Sequence, residues 1–167
     1  MKTIRLRALE PEDLDLLYTI ENDRALWAVG CATTPYSRYL LHDYLANATG
    51  DIYVDKQVRM VIEDQEHQAI GLVDLFNFSP QHLRAEVGIV IQQPFRNNGY
   101  ANMALQALCD YSRNILHLHQ LYAIVADDNE AALQLFRQSS FTISSELKEW
   151  IYNGEKYQNA YLLQTFL

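Results

Sequence analysis

Six consecutive residues, Arg96-Asn97-Asn98-Gly99-Tyr100-Ala101, have the types and order needed to hold an anion. They follow a β-rich run from Glu86 to Gln92 and precede a run of helical character beginning near Gly99. The first turn of a helix leaves backbone N–H groups unpaired at the positive end of the helix dipole, which makes a strand–loop–helix junction a ready anion site. Gly99 lets the backbone approach a ligand closely, and small Ala101 keeps side-chain bulk off the same surface. Arg96 adds a cation suited to a phosphate. The chemistry this spacing supports is the cradling of a pyrophosphate.

Other reactive side chains form no comparable set. Cys31 and Cys109 are the only cysteines and lie far apart, so neither a disulfide framework nor a four-thiolate metal site is expected. His117-Leu118-His119 would put two imidazoles on one strand face, but no neighbouring carboxylate or third ligand completes a metal site. There is no Gly-x-Ser-x-Gly elbow and no Walker-type loop ending in Lys-Ser or Lys-Thr. With 13 basic against 21 acidic residues, the net charge of −8 argues against a general nucleic-acid or anionic-membrane surface and is compatible with a cationic substrate such as an amine. The 167 residues, 49% of them apolar, fit one domain spanning 1–167 with a sizeable core. Met1 to Leu6 alternates charge and apolarity, which reads as a strand and not as a signal peptide; no apolar run reaches membrane-spanning length, so a cytoplasmic location is expected.

The elements that must position these residues can be read from periodicity. Ile4, Leu6 and Ala8 alternate with Arg5 and Arg7 as a first strand. Pro11 opens a helix with Glu12 and Asp13 in its first turn and an apolar stripe of Leu14, Leu17 and Tyr18. Ser37 is the expected N-cap of a second helix, which carries Leu40, Leu41, Tyr44 and Leu45 and ends near Gly50. Three strands follow: Val58 to Glu63 in alternation, Ala69 to Phe76, and Arg84 to Gln92. A helix from Gly99 to about Asn114, a short apolar strand from Leu121 to Ala126 suited to a central position, and a helix capped at Asp127-Asp128-Asn129 come next. Two final strands, Phe141 to Ile151 and Lys156 to Phe166, meet at Asn153-Gly154, a strong hairpin signal.

The motif Arg-x-x-Gly-x-Ala resembles the acetyl-coenzyme A signature of the GNAT superfamily of N-acetyltransferases, and the order of elements from residue 4 to residue 166 is similar to that family's. The resemblance implies an α/β (α+β) fold: one mixed, mostly antiparallel sheet of about seven strands with helices on both faces. Leu6-Arg7-Ala8-Leu9-Glu10-Pro11-Glu12-Asp13-Leu14, Thr34-Pro35-Tyr36-Ser37, Arg84-Ala85-Glu86 and Trp150 to Asn159 are similar to the ribosomal-protein N-terminal and spermidine acetyltransferase branch.

The same resemblance assigns roles. Acetyl-coenzyme A is the expected co-substrate: Arg96, Asn97, Asn98, Gly99, Tyr100 and Ala101 hold its pyrophosphate. The fourth and fifth strands splay, so that backbone groups of Ile89, Val90 and Ile91 pair with the pantetheine arm. Asn129 braces that arm, and Phe136 lies where relatives carry a tyrosine that protonates the departing thiolate. Phenylalanine has no donor; Ser139, Tyr122 and Tyr161 are the substitutes the sequence offers. Glu86 is the expected base, since an amine must lose a proton before attacking, the alternatives being a solvated strand-end charge or an ion-pair partner of Arg84. Asp74, Asn77 and Tyr36 are expected on the substrate side. Thr33, Thr34 and Asn77 replace acidic residues of the spermidine branch, which argues against a high-affinity polyamine site. The acceptor is left as a small-molecule amine, a polyamine or a protein N-terminus, acetylated by direct attack in a ternary complex without a relay through Cys31 or Cys109. The alternative is an acyl-coenzyme A-binding regulator or sensor with weak or lost catalysis, for which Phe136 is the warrant. A homo-oligomer is also compatible, with the Tyr-rich C-terminal strands serving either as an interface or as core.

Overall fold

The computed structural model describes residues 2–27 and 33–167. Cys31 lies outside these residues. Seven strands, β1 (Ile4–Ala8), β2 (Val58–Asp64), β3 (Ala69–Ser79), β4 (Arg84–Ile91), β5 (Gln120–Ala126), β6 (Thr142–Tyr152) and β7 (Tyr157–Phe166), form one sheet in the order β1-β2-β3-β4-β5-β7-β6. β4 and β5 pair in parallel, and the other neighbours in this sheet run antiparallel. The mixed, mostly antiparallel sheet read from the sequence is therefore present. The parallel pair requires a crossover, which α5 (Tyr100–Asn114) supplies.

Helices cover both faces because the strands are apolar on both. On one face α5 and α6 (Glu130–Gln138) bury Ala104, Leu105, Leu108 and Leu133 against Ile62, Val73, Leu75, Val87, Leu121 and Leu163. On the other, α1 (Leu14–Glu21) and α3 (Arg38–Asn47) set Leu17, Ile20 and Leu41 on Val61 and Leu72. Each such side chain stabilises the fold by about 1.5–3 kcal/mol. A buried ion-pair network ties the chain start to this frame: the Arg7 guanidinium donates to both Asp13 oxygens, at 2.7 and 2.9 Å, and its Nε donates to Glu63.

Several boundaries differ from the sequence reading, each for a local reason. Pro11–Asp13 is a single 3-10 turn before α1, closed by reciprocal hydrogen bonds between Glu10 and Asp13. α3 starts at the expected Ser37 cap but stops at Asn47; Gly50 lies beyond it, in a loop whose Thr49 and Gly50 N–H groups donate to Asp55. Two four-residue helices, α2 (Arg24–Trp27) and α4 (Ile52–Asp55), are too short to leave a periodic signal. β2 is not half-exposed: Met60, Val61, Ile62 and Glu63 are all buried, since the sheet is covered on both sides there. β3 runs on to Ser79 through a register shift after Phe76. At the far edge Trp150, Tyr152 and Tyr157 are exposed, whereas Tyr161 packs against the core.

Candidate active site

The cradle forms where β4 leaves the sheet. Gly99 adopts φ +82°, a left-handed conformation that glycine takes without a Cβ penalty, and it caps α5. Asn97 is also left-handed, at φ +60°. Among the described residues, no acceptor meets the N–H groups of Asn97, Asn98 or Gly99, and the first turn of α5 adds those of Tyr100 and Ala101. The result is a run of donors on one turn, with open space where a Gly99 side chain would project. Arg96 donates from Nε to the Ile91 carbonyl at 2.9 Å, fixing the loop to the strand end while its Nη groups face no described acceptor. Asn98 braces the turn from inside, donating to the Arg96 carbonyl at 3.0 Å.

Sequence reasoning missed one cation here. Lys2, just before β1, donates from Nζ to Asn98 Oδ1 at 2.7 Å and lies 5.4 Å from the Tyr100 ring centroid. Only the fold brings residue 2 beside residue 98.

Below the cradle, β4 and β5 separate. Their register runs through Arg84↔Gln120, Ala85↔Leu121 and Glu86↔Tyr122 and ends there. From Val87 to Ile91, including Ile89, Val90 and Ile91, β4 keeps β3 on one side and has no β5 partner on the other. An extended ligand with amide groups can pair with such an edge as an added strand.

Glu86 sits at the apex of this split. Asn77, in the β3 bulge opposite it, is left-handed at φ +49° and turns its amide onto Glu86 Oε2 at 2.8 Å. From β5, Tyr122 is the register partner of Glu86 and sets its phenol beside the same carboxylate. Burial pushes the Glu86 carboxyl above its ordinary value, and the Asn77 hydrogen bond and the neighbouring Tyr122 phenol pull it part of the way back. Burial, with the charge of Glu86 beside it, likewise raises the Tyr122 phenol. No ion pair joins Glu86 to Arg84 among the described residues.

Two residues along β4 from Glu86, on the same face, stands Gly88, paired with Asp74 of β3. A Cβ on Gly88 would lie 3.3 Å from the Phe76 ring and 3.6 Å from Asp74 Oδ2, so glycine keeps this floor open. Asp74 takes a two-pronged hydrogen bond from Arg59, at 2.7 and 3.1 Å, and Arg59 also reaches Glu21 at 2.6 Å. Burial works to lower the Arg59 pKa, but the two carboxylates outweigh it and hold the guanidinium firmly charged. Arg59 and Glu21 were not singled out by sequence reasoning, since they meet across 38 residues of chain. Glu21, Asp74 and Glu86 against Arg59 and Arg84, which lies two residues before Glu86 on the same strand face, give three negative charges and two positive, a formal −1 for this cluster.

The remaining expected residues fall as follows. Tyr36 is clamped through its backbone by the Asn22 side chain, at 2.9 and 3.0 Å, and its ring packs beside α1 and α3. Asn129 caps α6 by accepting from the Ala132 N–H at 3.2 Å. Phe136, expected beside the cofactor, is 4% exposed and packs edge-on against Phe141, so it offers a wall rather than a hydrogen bond. Cys109 is half-buried and its thiol is pushed up by burial, which disfavours the thiolate. Among the described residues, no His, Cys, Asp and Glu group is placed to hold a metal, and no helix is long and apolar enough to cross a membrane.

A family model described as an acetyltransferase (GNAT) domain matches residues 3–142. A spermidine N(1)-acetyltransferase of Vibrio cholerae is 31% identical, over 97% of this chain and 94% of its own length. Its counterpart in Escherichia coli K12 is 30% identical, over 95% and 83% respectively. The crystal structure of a Vibrio cholerae spermidine N-acetyltransferase in complex with CoA and spermine superimposes with a TM-score of 0.86 at 29% identity, covering 98% of this chain and 95% of the other. A dodecameric structure of the spermidine N-acetyltransferase from that organism gives 0.81 at 31% identity, covering 98% and 93%.

Proposed function

The chain belongs to the GNAT family of acetyltransferases and uses acetyl-coenzyme A, and from that premise we propose that its acceptor is the primary amine of a polyamine. The observation that carries this reading is the acidic face at the apex of the β4–β5 split. Glu86 and Asp74 face the same side two residues apart in register, about 6.6 Å along the strand. A flexible chain with several ammonium groups can address both carboxylates at once. A monoamine can address one. The relatives' named acceptor, spermidine, has this multivalent character.

The polycation site is weaker than three carboxylates would suggest, because Arg59 already neutralises part of it. Thr33, Thr34 and Asn77 add no charge where the spermidine branch is acidic. Spermidine is therefore bound with modest affinity, through Glu86 and Asp74. A protein N-terminus has a single ammonium and gains nothing from the second carboxylate.

On the other side of the sheet, Arg96 to Ala101 hold the pyrophosphate with backbone N–H groups, Arg96 Nη and Lys2. The unpaired edge of β4 from Val87 to Ile91 takes the pantetheine amides, with the free Asn129 amide N–H groups beside it. Acetyl-coenzyme A supplies the activated acyl group. Glu86 takes a proton from the incoming ammonium, which frees the nitrogen lone pair for attack. By likeness to the dodecameric relative, copies of this chain assemble with one another, and the exposed Trp150, Tyr152 and Tyr157 are the first surface to examine.

The test is free-thiol release from acetyl-coenzyme A with spermidine, spermine, a monoamine of equal length and a short peptide. Faster release with the polyamines, and a higher KM for spermidine in Asp74→Asn, are expected. Equal kcat/KM for the monoamine and spermidine would overturn the polyamine reading.

A further inference from the structure

Two proton movements accompany acetyl transfer, and Glu86 accounts for one. The other, protonation of the departing thiolate, has no donor at Phe136, whose ring carries no hydroxyl and is buried against Phe141. Three hydroxyls could stand in, and the fold separates them. Ser139 is buried and commits its hydroxyl to Asn102 Oδ1 at 2.9 Å. Tyr161 lies on β7, on the far side of β5 from the split. Tyr122 lies on β5 itself, paired with Glu86 at the last residue pair before the two strands part, with its phenol beside that carboxylate.

We propose that Tyr122 is the proton donor to the departing thiolate in this chain, recharged by Glu86. The step balances as follows. Glu86 accepts one proton from the ammonium; the neutral nitrogen forms the N–C bond as the C–S bond breaks; the sulfur takes the proton of the Tyr122 hydroxyl. The tyrosinate regains a proton from Glu86, and the surplus proton on nitrogen leaves to water. Glu86 thereby returns to the carboxylate form for the next turnover. The charged and titratable groups around Tyr122 are Glu86 and Arg84 on β4; Asn77 on β3 and Gln164, paired with it on β7, are neutral. The inference rests on the acetyltransferase activity and not on the identity of the amine.

The test uses whichever amine of the panel turns over, so that failure of the polyamine reading leaves it intact. Tyr122→Phe should lower kcat by about 10²-fold or more, with the acetyl-coenzyme A Kd unchanged by calorimetry. The high-pH limb of the kcat profile, which marks loss of the acid, should vanish. Replacing Tyr122 with a fluorinated tyrosine, which keeps the fold and lowers the phenol pKa, should move that limb to lower pH. In the ligand-free protein, carbon-13 NMR of the Glu86 carboxyl should show its pKa rising in Tyr122→Phe, as the polar phenol beside the carboxylate is lost. A shifted Glu86 titration with kcat and its high-pH limb intact would reduce Tyr122 to a polar neighbour of the carboxylate and overturn the proposal. A fluorinated variant with an unmoved limb would do the same.

Discussion

Replacing Glu86 with glutamine gives the sharpest separation between a general base and a mere charge. An alkyl amine has a pKa near 10.4, so about one molecule in a thousand is neutral at pH 7.4 and about one in ten at pH 9.4. A base that removes the extra proton can recover at most about that factor. Glu86→Gln should therefore reduce kcat/KM about 10²–10³-fold at pH 7.4, and the deficit should shrink roughly tenfold for each unit of rising pH. Glutamine keeps the volume and one acceptor oxygen. The carboxylate now accepts from Asn77 with the Tyr122 phenol beside it, so the variant turns an amide N–H toward one of these groups in place of an acceptor at a half-buried site. That costs about 1 kcal/mol and does not unfold the chain.

The wild-type profile carries its own signature. Glu86 must be ionised to accept a proton, and burial holds its carboxyl above the ordinary value. Activity should then fall on the acid side at a pH above the usual glutamate value of about 4.3, and this limb should be absent in Glu86→Gln. The assay is thiol release across pH 4.5–10 for both proteins. A deficit of constant size at every pH would show that Glu86 attracts the cation electrostatically and takes no proton, and the reasoning would fail.

Gly99→Val forces a β-branched residue to φ +82°, costing about 1–3 kcal/mol of strain or a flipped loop; since a Cβ there meets no protein atom, melting should fall only by the few degrees that strain accounts for, while acetyl-coenzyme A affinity drops tenfold or more, as calorimetry and melting would check. Lys2→Met should weaken acetyl-coenzyme A several-fold and flatten the salt dependence of its Kd, because one cation beside the cradle is lost. Asp13→Asn breaks the Arg7 pair and should destabilise the fold by about 3 kcal/mol at pH 7. Burial alone would raise the Asp13 carboxyl, but hydrogen bonds from Arg7 and the Glu10 N–H hold it below its ordinary value. The stabilisation is therefore complete above the unfolded value of about 3.9 and fades as pH falls through the lower folded one, so denaturant midpoints of the two proteins should converge in acid.

Much of this site was legible because its determinants are local. Gly99 in the left-handed region, Ser37 and Asn129 as helix caps, and Asn153-Gly154 between two strands all act within a few residues. Period-two alternation placed β1, and the apolar run from Leu121 to Ala126 gave a strand that is central. The parts that escaped depend on tertiary approach. Arg59 reads as a solvent-facing charge in an alternating strand, yet it bridges α1 to β3 through Glu21 and Asp74. Lys2 reads as one more charge in an alternating first strand, yet it reaches Asn98 in the loop before α5. The β3 bulge at Asn77 follows no periodic rule, because one residue of displacement in one strand re-aims a side chain without changing the pattern around it.

The two halves of the site have one cause. β4 and β5 pair for three residues only, and the last pair is Glu86 with Tyr122. Beyond it, β4 has a free edge that leads to the loop with unpaired N–H groups; at the pair itself, the closed sheet sets the hydrogen-bonded Asn77 and Glu86 beside Tyr122. Lengthening the β4–β5 pairing would satisfy more backbone groups and stabilise the sheet. It would also erase the edge that an amide-bearing ligand needs and bury the carboxylate that an amine must meet. The unpaired segment from Val87 to Ile91 is thus a local sacrifice of stability that the cores on both faces, built from α5 and α6 on one and α1 and α3 on the other, can absorb.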